Sequence, residues 1–101
     1  MERELWIGRL EVRPVSTNSP LAGRAGAFVQ AIVYARDAVE FELKASAVLA
    51  QLGIAITSID ELDPLAERRR NGTISRDLEI LASSVSETHP VAFDDFHAYG
   101  H

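Results

Sequence analysis

An alternation of apolar and charged residues near the start of the chain predicts a first β-strand. Trp6, Leu10 and Val12 point to one side of this strand, and charged residues point to the other. Pro14 ends the pattern. Residues 15–26 are rich in Ser, Thr, Asn, Pro and Gly, so they predict a loop of about a dozen residues, a length that is often functional.

Residues 27–36 predict a second strand whose two faces are both mostly apolar. One face carries small residues that suit a helix lying close against the sheet: Ala27, Val29, Ala31, Val33 and Ala35. The other face carries Phe28, Gln30, Ile32, Tyr34 and Arg36. A strand of this kind is either central with cover on both sides or covered by another molecule.

A helix is predicted directly after this strand. Asp37 is a suitable N-cap, Glu40 follows at the spacing of a capping box, and Gly53 can end the helix in a left-handed conformation. The apolar residues recur at the spacings of one helical face: Phe41, Ala45, Val48, Leu49 and Leu52.

The next segment predicts a short strand followed by a short helix. Residues 54–59 are mostly β-branched and indicate the third strand. Asp63 followed by Pro64 is typical of a helix start, and this helix is expected to run to about Arg70 and stop near Asn71.

A further helix is predicted after Ser75. Its apolar residues stand at i, i+3, i+4 and i+7 and form one stripe: Leu78, Leu81, Ala82 and Val85. His89 and Pro90 are expected to end this helix. Residues 91–93 then add a fourth strand at an edge of the sheet.

The resulting order, β-β-α-β-α-α(-β), predicts a single α+β domain over residues 1–101. We expect a small three- to four-stranded sheet with its helices on one face. The crossover through the first helix places the second and third strands parallel if they share a sheet. The other face then lacks an obvious cover, and we expect the C-terminal tail or a partner to cover its apolar residues: Leu5, Ile7, Phe28, Ile32 and Tyr34.

Residues 90–101 form a tail that is more aromatic than most chain termini. We expect it to dock either on its own sheet or on a neighbouring molecule, with Phe96, His97 and Tyr99 as candidate contacts.

The same tail contains residue types that bind metal ions or act in catalysis. Asp94, Asp95, His97 and His101 suit divalent cations, but their spacing matches no established ligand motif, so no metal site is predicted. Asp95 and His97 can be neighbours on one strand face. No nucleophile stands in a recognisable turn, so they are not predicted to be a catalytic pair.

The composition removes several kinds of chemistry. The 101 residues include no cysteine, which excludes disulfides, thiolate zinc sites and cysteine nucleophiles. The net charge of −5 argues against a nucleic-acid partner, because phosphate recognition usually needs a basic face. The first residues are acidic and contain no apolar segment, so we expect no secretory signal and a cytoplasmic location.

Arg68, Arg69 and Arg70 form a basic run at the end of a predicted helix, where cations suit the helix dipole. Because guanidinium groups bind carboxylates and phosphates in bidentate fashion, this run is a candidate contact for an anion or an acidic partner. Gly23 and Gly26 are not predicted to form a phosphate loop, because a strand rather than a helix follows them.

Together these patterns favour a small acidic protein-interaction domain, such as an inhibitor, an immunity-type protein or an accessory subunit. The alternative is a homodimer with a shared small-molecule cavity that includes Arg9, and with weak enzyme activity as a further option. No catalytic residue, cofactor or membrane contact is predicted. The candidate interface or cavity residues are Trp6, Phe28, Gln30, Ile32, Tyr34, Phe96, His97 and Tyr99.

Overall fold

The computed structural model describes residues 2–72 and 74–100 of the chain. In this part the order is β-β-α-β-α-α-β-β, which confirms the predicted α+β class and adds a fifth strand. The elements are β1 (Glu4–Pro14), β2 (Gly26–Ala35), α1 (Ala38–Gln51), β3 (Ile54–Pro64), α2 (Leu65–Asn71), α3 (Arg76–Ser83), β4 (Val91–Phe93) and β5 (His97–Tyr99).

All strand pairs of the sheet are antiparallel. β1 lies between β3 and β2, and β4 and β5 pair with the remaining edge of β2. Because β2 and β3 both run antiparallel to β1, they are parallel to each other, as expected from the crossover through α1. They are not adjacent, since β1 separates them.

One face of the sheet, the first face, is covered by α1. The small side chains of β2, such as Ala31 and Val33, are fully buried there against Phe41 and Leu49 of the helix. Gly8 of β1 allows Phe41 of α1 to lie close to the sheet, because a Cβ at this position would lie 2.9 Å from Cζ of Phe41. The small residues of β1 and β2 on this face therefore set the distance between the sheet and α1.

The ends of α1 are formed as predicted. The carboxylate of Asp37 accepts a hydrogen bond from the backbone N–H of Glu40 at 2.8 Å. Gly53 follows the helix with φ +70°, in the left-handed region that glycine adopts without strain.

Gly53→Ala is expected to lower the free energy of unfolding by about 1–2 kcal/mol, because an L-residue is strained in this conformation. The added Cβ would also lie 2.7 Å from Cβ of Ser16. Gly72→Ala is the matched control, since Gly72 has an extended φ of 177° and nothing within 4 Å of a Cβ. Urea denaturation of both variants measures the difference, and equal losses would contradict this account.

The opposite face of the sheet, the second face, is covered over about half its length by α2 and α3. Ile7 and Ile32 of the sheet are fully buried there beneath Leu65 of α2 and Ala82 of α3. This corrects the expectation that all helices lie on one face. The apolar stripe of α3 has no other sheet surface to cover, because α1 already occupies the first face.

Two element boundaries differ from the prediction. β3 continues beyond residue 59 to Pro64, because its last residues pair with Trp6 and Ile7 of β1. Pro64, rather than Asp63, therefore occupies the N-cap position of α2, and it provides no side-chain cap.

The third helix also ends earlier than predicted, at Ser83 rather than at His89-Pro90. The hydroxyl groups of Ser83 and Ser84 each donate to a backbone carbonyl three residues earlier, at 2.6 Å. Such local bonds compete with continuation of a helix.

The C-terminal tail lies along the edge of β2 in the same chain. β4 pairs with Ala31–Val33, and β5 pairs with Gly26–Phe28. Between them Asp94 interrupts the strand, and its carboxylate oxygen Oδ1 accepts a hydrogen bond from the backbone N–H of Gln30 at 2.7 Å. The tail thus forms one edge strand divided by an aspartate.

Candidate functional site

The sequence-predicted site residues separate into three groups. Phe28, Gln30, His97 and Tyr99 lie together on the half of the second face that α2 and α3 leave uncovered. Ile32 and Tyr34 lie on the covered half, where Ile32 is fully buried and Tyr34 half-buried. The third group packs against the core of the first face and consists of Trp6 and Phe96.

Phe28, Gln30 and His97 of the first group line two adjoining cavities that we call the tail groove. Their volumes are about 270 Å³ and about 430 Å³, and both are lined by Gln30, Asp94 and His97. Arg9 and Phe28 line the smaller cavity only, whereas the larger cavity also touches the start of α3. Three of the predicted site residues, Phe28, Gln30 and His97, therefore share one groove.

An aromatic and charged cluster adjoins this groove. The guanidinium carbon of Arg9 lies 4.5 Å above the ring of Phe28, a cation–π arrangement. The rings of Phe28 and Tyr99 are 5.4 Å apart, and the Tyr99 hydroxyl donates a hydrogen bond to Glu11. This hydrogen bond raises the pKa of Tyr99 above its ordinary value. Tyr99 lies over Gly26, where a Cβ would come within 2.6 Å of its hydroxyl oxygen.

The tail groove carries charged and amide groups. Asp95 and His97 both line the larger cavity. Within residues 2–72 and 74–100, no group of three or more His, Asp or Glu side chains is arranged to hold a metal ion. His101, which was considered with Asp94, lies outside the described residues.

A second candidate site, which the sequence did not reveal, lies along the outer edge of β3. In the described part of the chain β3 pairs only with β1. A groove of about 650 Å³ separates β3 from α1, and we call it the β3 edge groove. Its lining residues are Val15, Glu42, Ser46, Ala50 and residues 54–59.

The β3 edge groove continues into an exposed apolar surface on α1. Val39 and Leu43 are 69% and 66% exposed, which is unusual for large apolar residues on one helix. Val39, Leu43, Ser46 and Ala50 stand at i, i+4, i+7 and i+11, so they form a second stripe beside the buried one. This spacing is the sequence signal for the second stripe. It was overlooked because the stripe that contains Phe41 is more apolar.

Two arginines of the run, Arg68 and Arg69, form ion pairs within the molecule. Arg68 forms an ion pair with Asp63 at 2.8 Å, and Arg69 joins α2 to α3 through Glu79 at 2.5 Å. Hydrogen bonding from Arg69 lowers the pKa of Glu79. Arg70 is exposed. An anion or acidic-partner contact at Arg68–Arg70 stays a prediction.

A cluster of basic side chains around the buried Glu40 stabilises the start of α1. Glu40 is only 8% exposed, and its carboxylate contacts Arg3 at 2.6 Å and both Arg36 and Lys44 at 3.2 Å. The hydrogen bond from Arg3 is the main reason that the pKa of Glu40 falls to about 2. Lys44 also donates to the carbonyl oxygen of Tyr34 at 2.7 Å, which joins the helix to β2.

The described part of the chain contains no helix long and apolar enough to cross a membrane. No protein-family model, curated protein or solved structure matches the chain.

Proposed function

We propose that this chain is a protein-interaction domain that takes up an extended segment of another protein as an additional strand along β3. The observation that carries the proposal is the 11-residue strand β3, which within residues 2–72 and 74–100 is paired on one side only and is bordered by the β3 edge groove. A strand added at such an edge gains main-chain hydrogen bonds, and its alternate side chains enter the neighbouring groove. Exposed Val39 and Leu43 extend the apolar contact.

The charges along β3 indicate which kind of segment fits. Residues 54–59 carry no charge, whereas Asp60 and Glu61 follow them and are exposed. Glu42 of α1 lines the same groove. Acidic groups at an open edge disfavour pairing with another acidic strand and favour a basic one. The partner segment is therefore apolar at one end and rich in Lys or Arg at the other.

A second copy of the chain fits this edge less well, because each copy carries a net charge of −5. The tail groove is also formed within one chain, so a shared cavity is not needed to create it. An inhibitor, an immunity-type protein or an accessory subunit in the cytoplasm would act through such a strand-binding edge. This is the function class that the sequence favours, with the partner bound at β3 rather than on the second face.

Selection from a display library of random peptides tests the proposal directly. Peptides enriched on the protein are expected to alternate apolar residues and to carry Lys or Arg near one end. Leu43→Glu is expected to weaken an enriched peptide about tenfold or more, because it replaces an apolar contact with a charged side chain that must lose water to lie against the peptide. Ile80→Glu is the matched control, since Ile80 of α3 is also an exposed apolar residue, at 59%.

Amide hydrogen exchange locates the bound peptide. Amides of β3 are expected to gain protection while those of β4 and β5 stay unchanged. Enrichment no greater than on an unrelated acidic protein, or an equal loss with Ile80→Glu, would count against the proposal. Light scattering is expected to give a mass near 11.1 kDa for the free chain. A dimer that Leu43→Glu dissociates would instead make a second copy the occupant of the edge.

A further inference from the structure

We propose that the tail groove binds a small ligand with a carboxylate at one end and an ammonium or guanidinium group at the other. A basic amino acid or a short peptide with free termini has this chemistry. The tail groove shares no lining residue with the β3 edge groove, so this inference does not depend on the proposed function. It rests on the opposite charges along the groove and on the apolar surface between them.

Arg9 provides the site for the carboxylate. Its side chain is 41% exposed, and stacking on Phe28 holds the guanidinium group at the groove. Its nearest carboxylate is that of Asp60 at 3.9 Å, too long for a direct hydrogen bond. The donors of the guanidinium fork are therefore available to a carboxylate, which they bind in bidentate geometry.

Three aspartates provide the site for the cation. Asp77 at the start of α3 and Asp94 and Asp95 of the tail all line the larger cavity. Oδ1 of Asp94 already accepts the hydrogen bond from the backbone N–H of Gln30. Across residues 2–72 and 74–100, the ion pairs of the molecule involve other carboxylates. A bound cation would therefore meet carboxylates that form no ion pair within the described part of the chain.

The strand register sets the distance between the two charged ends. Arg9 of β1 is paired with Gln30 of β2, and Asp94 lies beside Gln30 between β4 and β5. Two strand spacings of about 4.8 Å place the backbones of Arg9 and Asp94 on the order of 10 Å apart. Asp77 and Asp95 line only the larger cavity, whereas Arg9 lines only the smaller one, so the two charges lie towards opposite ends of the groove. Phe28, Leu78 and Leu81 supply apolar walls along the groove. An extended zwitterion with an apolar middle contacts both ends at once, whereas a ligand with one charge contacts one end.

Titration with ω-amino acids of increasing length tests both the chemistry and the spacing. The probes are γ-aminobutyrate, ε-aminocaproate and ω-aminocaprylate, followed in amide proton–nitrogen spectra of the full chain. Affinity is expected to increase from γ-aminobutyrate to the longer probes, with shifts concentrated at residues that line the tail groove. Caproate and hexylamine carry one charge each, and we expect them to bind about tenfold more weakly than ε-aminocaproate.

Charge-removing variants assign the two ends. Arg9→Gln and Asp94→Asn are each expected to weaken ε-aminocaproate about tenfold. Asparagine keeps an oxygen that can accept the Gln30 N–H, and a preserved amide spectrum shows that the variant is folded. Arg9→Gln should leave hexylamine binding unchanged. Arg13→Gln is the matched control, because Arg13 is exposed on the same strand and outside the groove.

Several results would overturn the inference. One is that ε-aminocaproate shifts no amide signals, or shifts signals outside the tail groove. Another is equal affinity for ε-aminocaproate and for caproate. A loss with Arg13→Gln as large as that with Arg9→Gln would show a general charge effect. If Asp94→Asn fails to fold, Asp77→Asn replaces it, because Asp77 is exposed and lines the same end.

Discussion

Ile32→Asp is expected to unfold the protein. Ile32 is fully buried in the middle of β2, paired with Ile7 on one side and Ala92 on the other, beneath Leu65 of α2. A carboxylate there would be charged without a partner, at a cost of several kcal/mol in addition to the lost apolar burial. Domains of this size are stable by only about 5–15 kcal/mol. Circular dichroism and urea denaturation are expected to show loss of the cooperative transition.

The matched control is Ile80→Asp, which makes the same chemical change at an exposed position of α3. Surface substitutions usually change the free energy of unfolding by about 0.5 kcal/mol or less. A folded Ile32→Asp variant with altered oligomeric mass would contradict the structure. That result would show that the second face is an interface with another molecule rather than a face covered by α2 and α3.

Glu40→Gln is expected to destabilise the protein strongly at neutral pH and much less in acid. The substitution keeps the shape of the side chain but removes the charge shared by Arg3, Arg36 and Lys44. The folded-state pKa of Glu40 is about 2, below its ordinary value of 4.5. The stabilisation of the folded state by the Glu40 carboxylate is therefore fully present above about pH 4.5 and is lost as the pH falls towards about 2.

Urea denaturation of the two proteins across this pH range measures the effect. The difference in unfolding free energy is expected to be constant near neutral pH and to decrease steadily below about pH 4.5. Glu42→Gln is the matched control on the same helix, because Glu42 is exposed and forms no ion pair in the described part of the chain. A difference between wild type and Glu40→Gln that is independent of pH would contradict the assigned role of the carboxylate.

Sequence reasoning succeeded where local chemistry and burial point to the same structure. The cap at Asp37, the left-handed Gly53 and the small-residue face of β2 together define α1 and its packing. It failed where contacts between distant residues decide the outcome. Pairing with β1 extends β3 through Asp63, although Asp-Pro is a typical helix start. In the same way, α2 and α3 cross to the second face because α1 occupies the first.

The candidate site was predictable only in part, for a related reason. Alternation along a strand places Phe28 and Gln30 on one face, and the aromatic tail was recognisable as a segment that docks. The tail groove also requires Arg9 to lie opposite Gln30 and Asp77 to reach the same cavity. Both depend on strand register and helix placement, which local sequence patterns do not determine. The open edge of β3 was missed because its position at the border of the sheet depends on the order of the strands, which follows from long-range pairing.

The division of the tail by Asp94 makes the two borders of the sheet unequal. The two pieces of the tail, three residues each, occupy one border of the sheet and offer no long run of unpaired backbone to a further strand. Among the described residues, β3 is therefore the border with the longer unpaired backbone. Under the proposed function, an added strand would extend the sheet beyond β3 and not beyond the tail.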